Sequence, residues 1–264
     1  MTREQGDNVK TFGLIVVAGL VSWITACSIG SSEDVSSVEG ENVAAADVGG
    51  GSGGITGIPC SPPSDGGGST KIVEFQNGLP LTDGGVTYQG ADDTRLESAQ
   101  DSTNFGTSID LIVKKGKSSL FRFDLSFLPP GTRLNCASFA YYVQDRSVKT
   151  FLGRPLYRPW TEAGATWLSY ASGAAWGAPG ATSSFDRDDD PMVEVSGSVS
   201  GRQSTFLDLA VVQRWIDNPS QNKGFIFQDA TANDGMNIAS SESTSLSVPT
   251  TRDLRPSILL GYTP

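Results

Sequence analysis

The chain has 264 residues, with 29 acids against 19 Lys and Arg, a formal net charge of −10, and no histidine. The missing imidazole excludes Ser-His-Asp and Cys-His catalysis and every zinc site that needs a histidine ligand. The acidic balance argues against nucleic-acid binding, which calls for a basic face.

From the N-terminus, residues 12–26 form an apolar run broken only by two glycines, Ser22 and Thr25. The run is shorter than the roughly 20 residues of a bilayer span. It fits the apolar middle of a secretory signal, with Arg3 and Lys10 ahead of it and Glu4 and Asp7 offsetting their charge. The segment "ITAC" at 24–27 resembles the lipobox of bacterial lipoproteins. That resemblance implies cleavage before Cys27 and acylation of its thiol, so that residues 1–26 are a signal peptide. The expected location is a lipid anchor at the cell surface or outer membrane, with the membrane touched through the anchor only. The alternatives are an ordinary secretory signal, giving a secreted protein, or an uncleaved anchor.

Residues 28–70 contain 11 Gly, nine Ser and six acids, with no base and no aromatic residue. Such a segment cannot bury enough apolar surface to offset its ordering entropy. With Cys27 it reads as a flexible tether over 27–70, with a typical span of roughly 35 Å.

Residues 71–264 are long enough for one domain with a sizeable core. They carry 17 bases against 21 acids, so the strong charge belongs mainly to the preceding segments. Strand-like runs recur between turn signals: "KIVEF" (71–75), "IDLIVKK" (109–115), "SLFRFDLS" (119–126), "CASFAYYVQ" (136–144), "MVEVS" (192–196), "GFIFQD" (224–229) and "PSILLGY" (256–262). The second and third of these are expected to form a hairpin around Gly116. Phe121, Phe123 and Leu125 alternate with Arg122 and Asp124, and Ala137, Phe139, Tyr141 and Val143 share one face. Alternation of this kind marks half-buried strands of antiparallel sheets. "LDLAVVQRWIDNP" (207–219) instead has helical spacing, with Leu209, Val212 and Ile216 on one face, Val211 and Trp215 paired, Asp208 as cap and Pro219 as stop. Trp215 is expected to plug the core.

Seven motifs, carried in order by six stretches, resemble the DNRLRE domains. They are "GADDTRLESAQDSTNFGTSIDLIV" (90–113), containing Asp93-Thr94-Arg95-Leu96 and the turn Asn104-Phe105-Gly106; "LFRFDLSFLPPGTRLNCASFAYYV" (120–143); "WTEAGATW" (160–167); "TFLDLAVVQRWIDNPSQNKGFIF" (205–227); Glu242; and "RPSILLGY" (255–262). The resemblance implies an all-β fold, an antiparallel β-sandwich of jelly-roll type with one short helix. It also implies kinship with carbohydrate-binding module family ninety-six, found beside enzymes acting on acidic polysaccharides such as alginate. One departure is that the acid of "DTRLES" comes one position early, at Glu97, so any role for that carboxylate carries over poorly.

These readings converge on a non-catalytic surface lipoprotein, a monomer whose partner is an anionic polysaccharide and not a nucleic acid. The alternative is a structural or adhesive protein that uses the same sandwich against another protein. Acidic glycans call for Lys or Arg, and sugar rings for exposed aromatics. Lys114, Lys115 and Lys117 crowd one turn, and Arg122 projects from the next strand. Tyr170 and Trp176 are expected to face solvent as stacking platforms, while Trp160 and Trp167 serve the fold. No cofactor is expected beyond a structural calcium. Its candidate ligands are Asp92, Asp93 and Glu242, whose segments recur in the family that the chain resembles. The acid run "FDRDDDP" (185–191), with Asp186, Asp188 and Asp190, is read as a solvated loop. It lacks the Gly and terminal Glu of an EF-hand loop. Export permits a disulfide. The strand parity of Cys136 points it away from the core face, where Cys60 at the end of the tether could meet it; the alternative is two free thiols.

Overall fold

The computed structural model describes residue 60 and residues 70–81, 85–243 and 254–263. The expected signal, Cys27 and nearly all of the expected tether lie outside these residues. The described residues belong to one compact unit, 53–264. Among them, no helix is long and apolar enough to cross a membrane.

The fold is an all-β antiparallel sandwich. In chain order its strands are β1 (Lys71–Phe75), β2 (Ala91–Glu97), β3 (Asp110–Val113), β4 (Lys117–Phe123), β5 (Arg133–Asp145), β6 (Thr150–Pro155), β7 (Ser169–Ala171), β8 (Ala174–Ala175), β9 (Val193–Ser196) and β10 (Gly201–Phe206). The helix α1 (Leu209–Asp217) follows, then β11 (Phe225–Gln228), β12 (Met236–Ala239) and β13 (Ser257–Thr263). The first sheet has the order β1-β13-β5-β12-β3, with β10 also paired to β5; the second has the order β2-β4-β11-β6-β9. From β1 to β6 the chain changes sheet at every connection, the winding of a jelly roll. A separate pair, β7-β8, lies in the long crossover between β6 and β9.

Alternation along the strands explains the layers. On β5 the side chains of Ala137, Phe139, Tyr141 and Val143 are all buried, as their shared parity requires. They meet Phe121, Phe225 and Phe227 from the second sheet. Phe139 lies 5.2 Å from Phe121 and 5.2 Å from Phe225, both edge-on, the geometry that aromatic quadrupoles favour. The helix closes one end. Asp208 accepts hydrogen bonds from the amides of Ala210 and Val211, and Val211, Val212, Trp215 and Ile216 are buried. Trp215 is a core plug, as its spacing indicates.

The expected hairpin around Gly116 forms only at its tip. Lys114 and Lys117 exchange backbone hydrogen bonds of 3.1 and 2.8 Å, and Gly116 supplies the positive φ of 76°. Beyond the tip the strands part: β3 joins β12 in the first sheet, and β4 joins β2 and β11 in the second. The local turn fits a hairpin, but burying Leu111 and Phe121 within one core requires the two strands to lie in opposite layers.

Cys60 and Cys136 form a disulfide, with their Cα atoms 5.4 Å apart. Cys136 lies on the outer face of β5, opposite Gly261 of β13. A Cβ on Gly261 would come within 2.6 Å of the Cys136 sulfur, so only glycine leaves room for the bridge.

Candidate functional site

The outer face of the second sheet carries Leu96, Leu120 and Ile226, all buried. They are covered because the crossover from β6 to β9 folds back over them and supplies Trp160, Ala165, Trp176 and Ala181 to a second, smaller core. Each indole nitrogen in that core has a partner: Trp160 donates to the Lys223 carbonyl at 2.8 Å and Trp176 to the Thr166 carbonyl at 2.9 Å. Trp176 is therefore a packing residue, which corrects its expected role as an exposed platform. Tyr170 is half-buried, with its ring edge-on to Trp176 at 5.7 Å and the Arg158 guanidinium 5.7 Å from its centroid.

The acid run also departs from expectation. Asp186 is fully buried rather than solvated. It accepts hydrogen bonds from Arg158 and from the amides of Gly177 and Ala178, which fastens the crossover. A buried carboxylate survives here because both oxygens have donors. A bond from Tyr157 helps to hold Asp188 below its ordinary pKa, and Asp190 is exposed.

The crossover leaves the far part of the outer face uncovered. There a groove of about 900 Å³ opens. It is lined by Lys114 and Lys115 of the turn, by Ser118, Leu152 and Arg154 of the sheet, and by Trp167 and Arg187 of the crossover. Four bases line it against one acid, Asp229. That acid is occupied by the amides of Thr231 and Ala232 and the Thr231 hydroxyl. These bonds outweigh its burial and keep its pKa below the ordinary range.

The two guanidiniums are held by their surroundings. Arg154 Nε donates to the Asp189 carbonyl at 3.1 Å, and Arg187 Nη1 to the Asp188 carbonyl at 2.8 Å and the Asp189 carboxylate at 3.1 Å. Arg187 Nε is buried and has no partner. Burial, reinforced by the positive charge of Arg187, lowers the pKa of Arg154. An anion in the groove would relieve that crowding. Trp167 is fixed by Gly180, where a Cβ would lie 2.5 Å from the indole ring and φ is +73°.

Only Lys114 and Lys115 of the six expected glycan residues line this groove. Lys117 pairs with Glu97 at 2.8 Å, and Arg95 meets the same carboxylate at 2.7 Å. Arg122 is drawn to another region, where it is bonded to Asp92 and to the Trp160 carbonyl and lies 5.1 Å from the Trp160 ring. Arg154, Arg187 and Trp167 were not singled out as ligand contacts. The outward parity of Arg154 was available in the sequence. Arg187 was hidden in an acid run, and Trp167 among residues read as serving the fold.

The expected cation ligands also divide. Asp92 and Asp93 are neighbours on β2, so their side chains leave opposite faces; Asp92 pairs with Arg122 and does not join Asp93. Asp93 instead lies with Glu242 and with Glu162 of the crossover. The Asn104-Phe105-Gly106 turn holds Glu162 in place. Asn104 donates to the carbonyls of Glu162 and Ala165 at 2.6 and 2.8 Å. A Cβ on Gly106 would lie 2.6 Å from the Glu162 carbonyl oxygen. Burial, then the charge of Glu242, pushes the Asp93 carboxyl well above the usual carboxylate range. Burial is also the main cause that raises Glu162 to about 7, with Glu242 and Asp92 adding to it.

Comparison with protein-family models and with curated proteins returns no match for this chain.

Proposed function

We propose that the protein is a non-catalytic surface lipoprotein that binds an anionic polysaccharide in the groove over β4, β11 and β6. The observation that carries this reading is the juxtaposition of Arg154 and Arg187 with the Trp167 indole, flanked by Lys114 and Lys115. A guanidinium presents a planar fork of donors that matches a carboxylate or sulfate, and an indole offers a flat apolar surface to a sugar ring. The seven motifs similar to DNRLRE domains and the "ITAC" segment support the same reading, with Cys27 as the lipid attachment point.

A glycan array probed with the full-length protein tests it. Uronate or sulfated glycans are the expected hits, and binding should weaken as salt rises, because exposed charges are screened beyond about 8 Å at physiological ionic strength. Arg154→Ala with Arg187→Ala should lower affinity by roughly tenfold or more, the loss expected from charge-assisted hydrogen bonds of about 1.5–3 kcal/mol each. Binding unchanged in the double variant would move the site elsewhere. An array without hits, together with a captured protein partner, would favour a structural or adhesive role.

A further inference from the structure

We infer that Asp93, Glu162 and Glu242 bind a calcium ion that ties β2, the crossover and the turn after β12 together. One carboxylate oxygen from each residue lies within 4.8 Å of the others. Two ligands on a common calcium, each 2.3–2.6 Å away, sit at most about 5 Å apart, so the three carboxylates can reach one ion. The donor set is oxygen alone, which selects a hard cation over zinc or copper.

The hydrogen bonds point the same way. Each carboxylate has one oxygen held by a protein donor. The Ser241 amide donates to Asp93 Oδ2 at 2.7 Å, the Ser241 hydroxyl to Glu242 Oε1 at 2.9 Å, and the Asp93 amide to Glu162 Oε1 at 2.9 Å. These bonds orient the three groups. Asp93 is 1% exposed, and its Oδ1 is buried without a hydrogen-bond partner; so is Glu242 Oε2. Orphaned buried carboxylate oxygens are costly unless a cation or a proton satisfies them. The arginine whose charge reaches Glu162, Arg122, is itself paired with Asp92. A divalent ion would offset two of the three negative charges and give both orphaned oxygens a partner.

The ion has a structural role. It joins segments that are far apart in sequence, and it lies outside the set of residues lining the groove. The test uses the full-length protein, stripped with EDTA and dialysed, then titrated with calcium chloride by calorimetry and followed by thermal melting. The expected result is one ion per chain and, at a hundredfold excess over Kd, a rise in Tm of about 5–10 °C. Glu162→Gln and Glu242→Gln, checked for folding by near-ultraviolet circular dichroism, should each weaken binding by at least about tenfold, since affinity follows ligand charge. Absence of heat and of any Tm change in the unmutated protein up to about 10 mM calcium, beyond the weakest extracellular sites, would overturn the inference and leave protons as the occupants. Calcium binding that both variants retain at full strength would overturn it as well. No glycan enters this experiment, so its failure and that of the polysaccharide reading are separable.

Discussion

Glu97 is nearly buried, and burial by itself would raise its pKa. Hydrogen bonds from Lys117 and Arg95 outweigh that cost and hold the carboxyl below its ordinary value of 4.5. The sign of the linkage follows: the folded state favours the ionised form, so this contribution is present above pH 4.5 and is lost as pH falls through the lower folded value. Glu97→Gln should therefore lower the neutral plateau of a Tm-against-pH profile and flatten its acid limb, converging with the unmutated protein at low pH. Lys117→Ala should cost roughly 1–2 kcal/mol at neutral pH, because a nearly buried carboxylate loses one of two charged donors. A Glu97→Gln profile with the same acid limb as the unmutated protein would show that the carboxylate contributes nothing to acid sensitivity. At this scale the sequence was a partial guide. The basic cluster around Gly116 was legible as charge, but not its division into groove residues and ion-paired ones. That division depends on which acid each strand register brings opposite: Glu97 faces Lys117, and Asp92 faces Arg122.

At the scale of elements, the crossover between β6 and β9 decides which aromatic rings pack and which border the groove. Trp176 is 5% exposed within the smaller core, whereas Trp167 borders the groove. Trp176→Ala should lower stability by about 3–5 kcal/mol through the cavity it leaves, seen as a fall in the denaturant midpoint. Trp167→Ala should leave more of the stability intact and weaken glycan binding by about 2–10-fold, the worth of one ring contact. The reverse pattern would restore Trp176 as the platform. Strands β1, β3, β4, β5, β9, β11 and β13 were legible, since runs of large apolar residues between turn signals are a local signal, and so was α1 with its Asp208 cap; β2, β6, β10 and β12, with fewer large apolar residues, were not read as strands. The parting of β3 and β4 was not, because a tight turn is compatible with paired strands or with strands in opposite layers. Nor was the place of Glu162 beside Asp93. It depends on Asn104 and Gly106 gripping a loop some sixty residues away, a contact with no local periodicity.

For the whole molecule, anchorage and binding are separate parts of one proposal. Cys27→Ser should release the protein from membranes or block its processing, as read by fractionation and gel mobility; unchanged behaviour would reject the lipid anchor. The Cys60–Cys136 bridge gives anchorage a mechanical meaning. A pull on the chain ahead of Cys60 has a covalent route that bypasses β1. It enters at Cys136, in β5, which is paired to β13, β10 and β12. A glycan held in the groove would pull on the opposite sheet. Tension would then cross the sandwich through its aromatic core and bear on the most heavily paired strand, while β1 stays slack. With the bridge reduced, the same tension would reach β1 first and strip it from β13 hydrogen bond by hydrogen bond, so the redox state of one pair of sulfurs sets which strand carries the load.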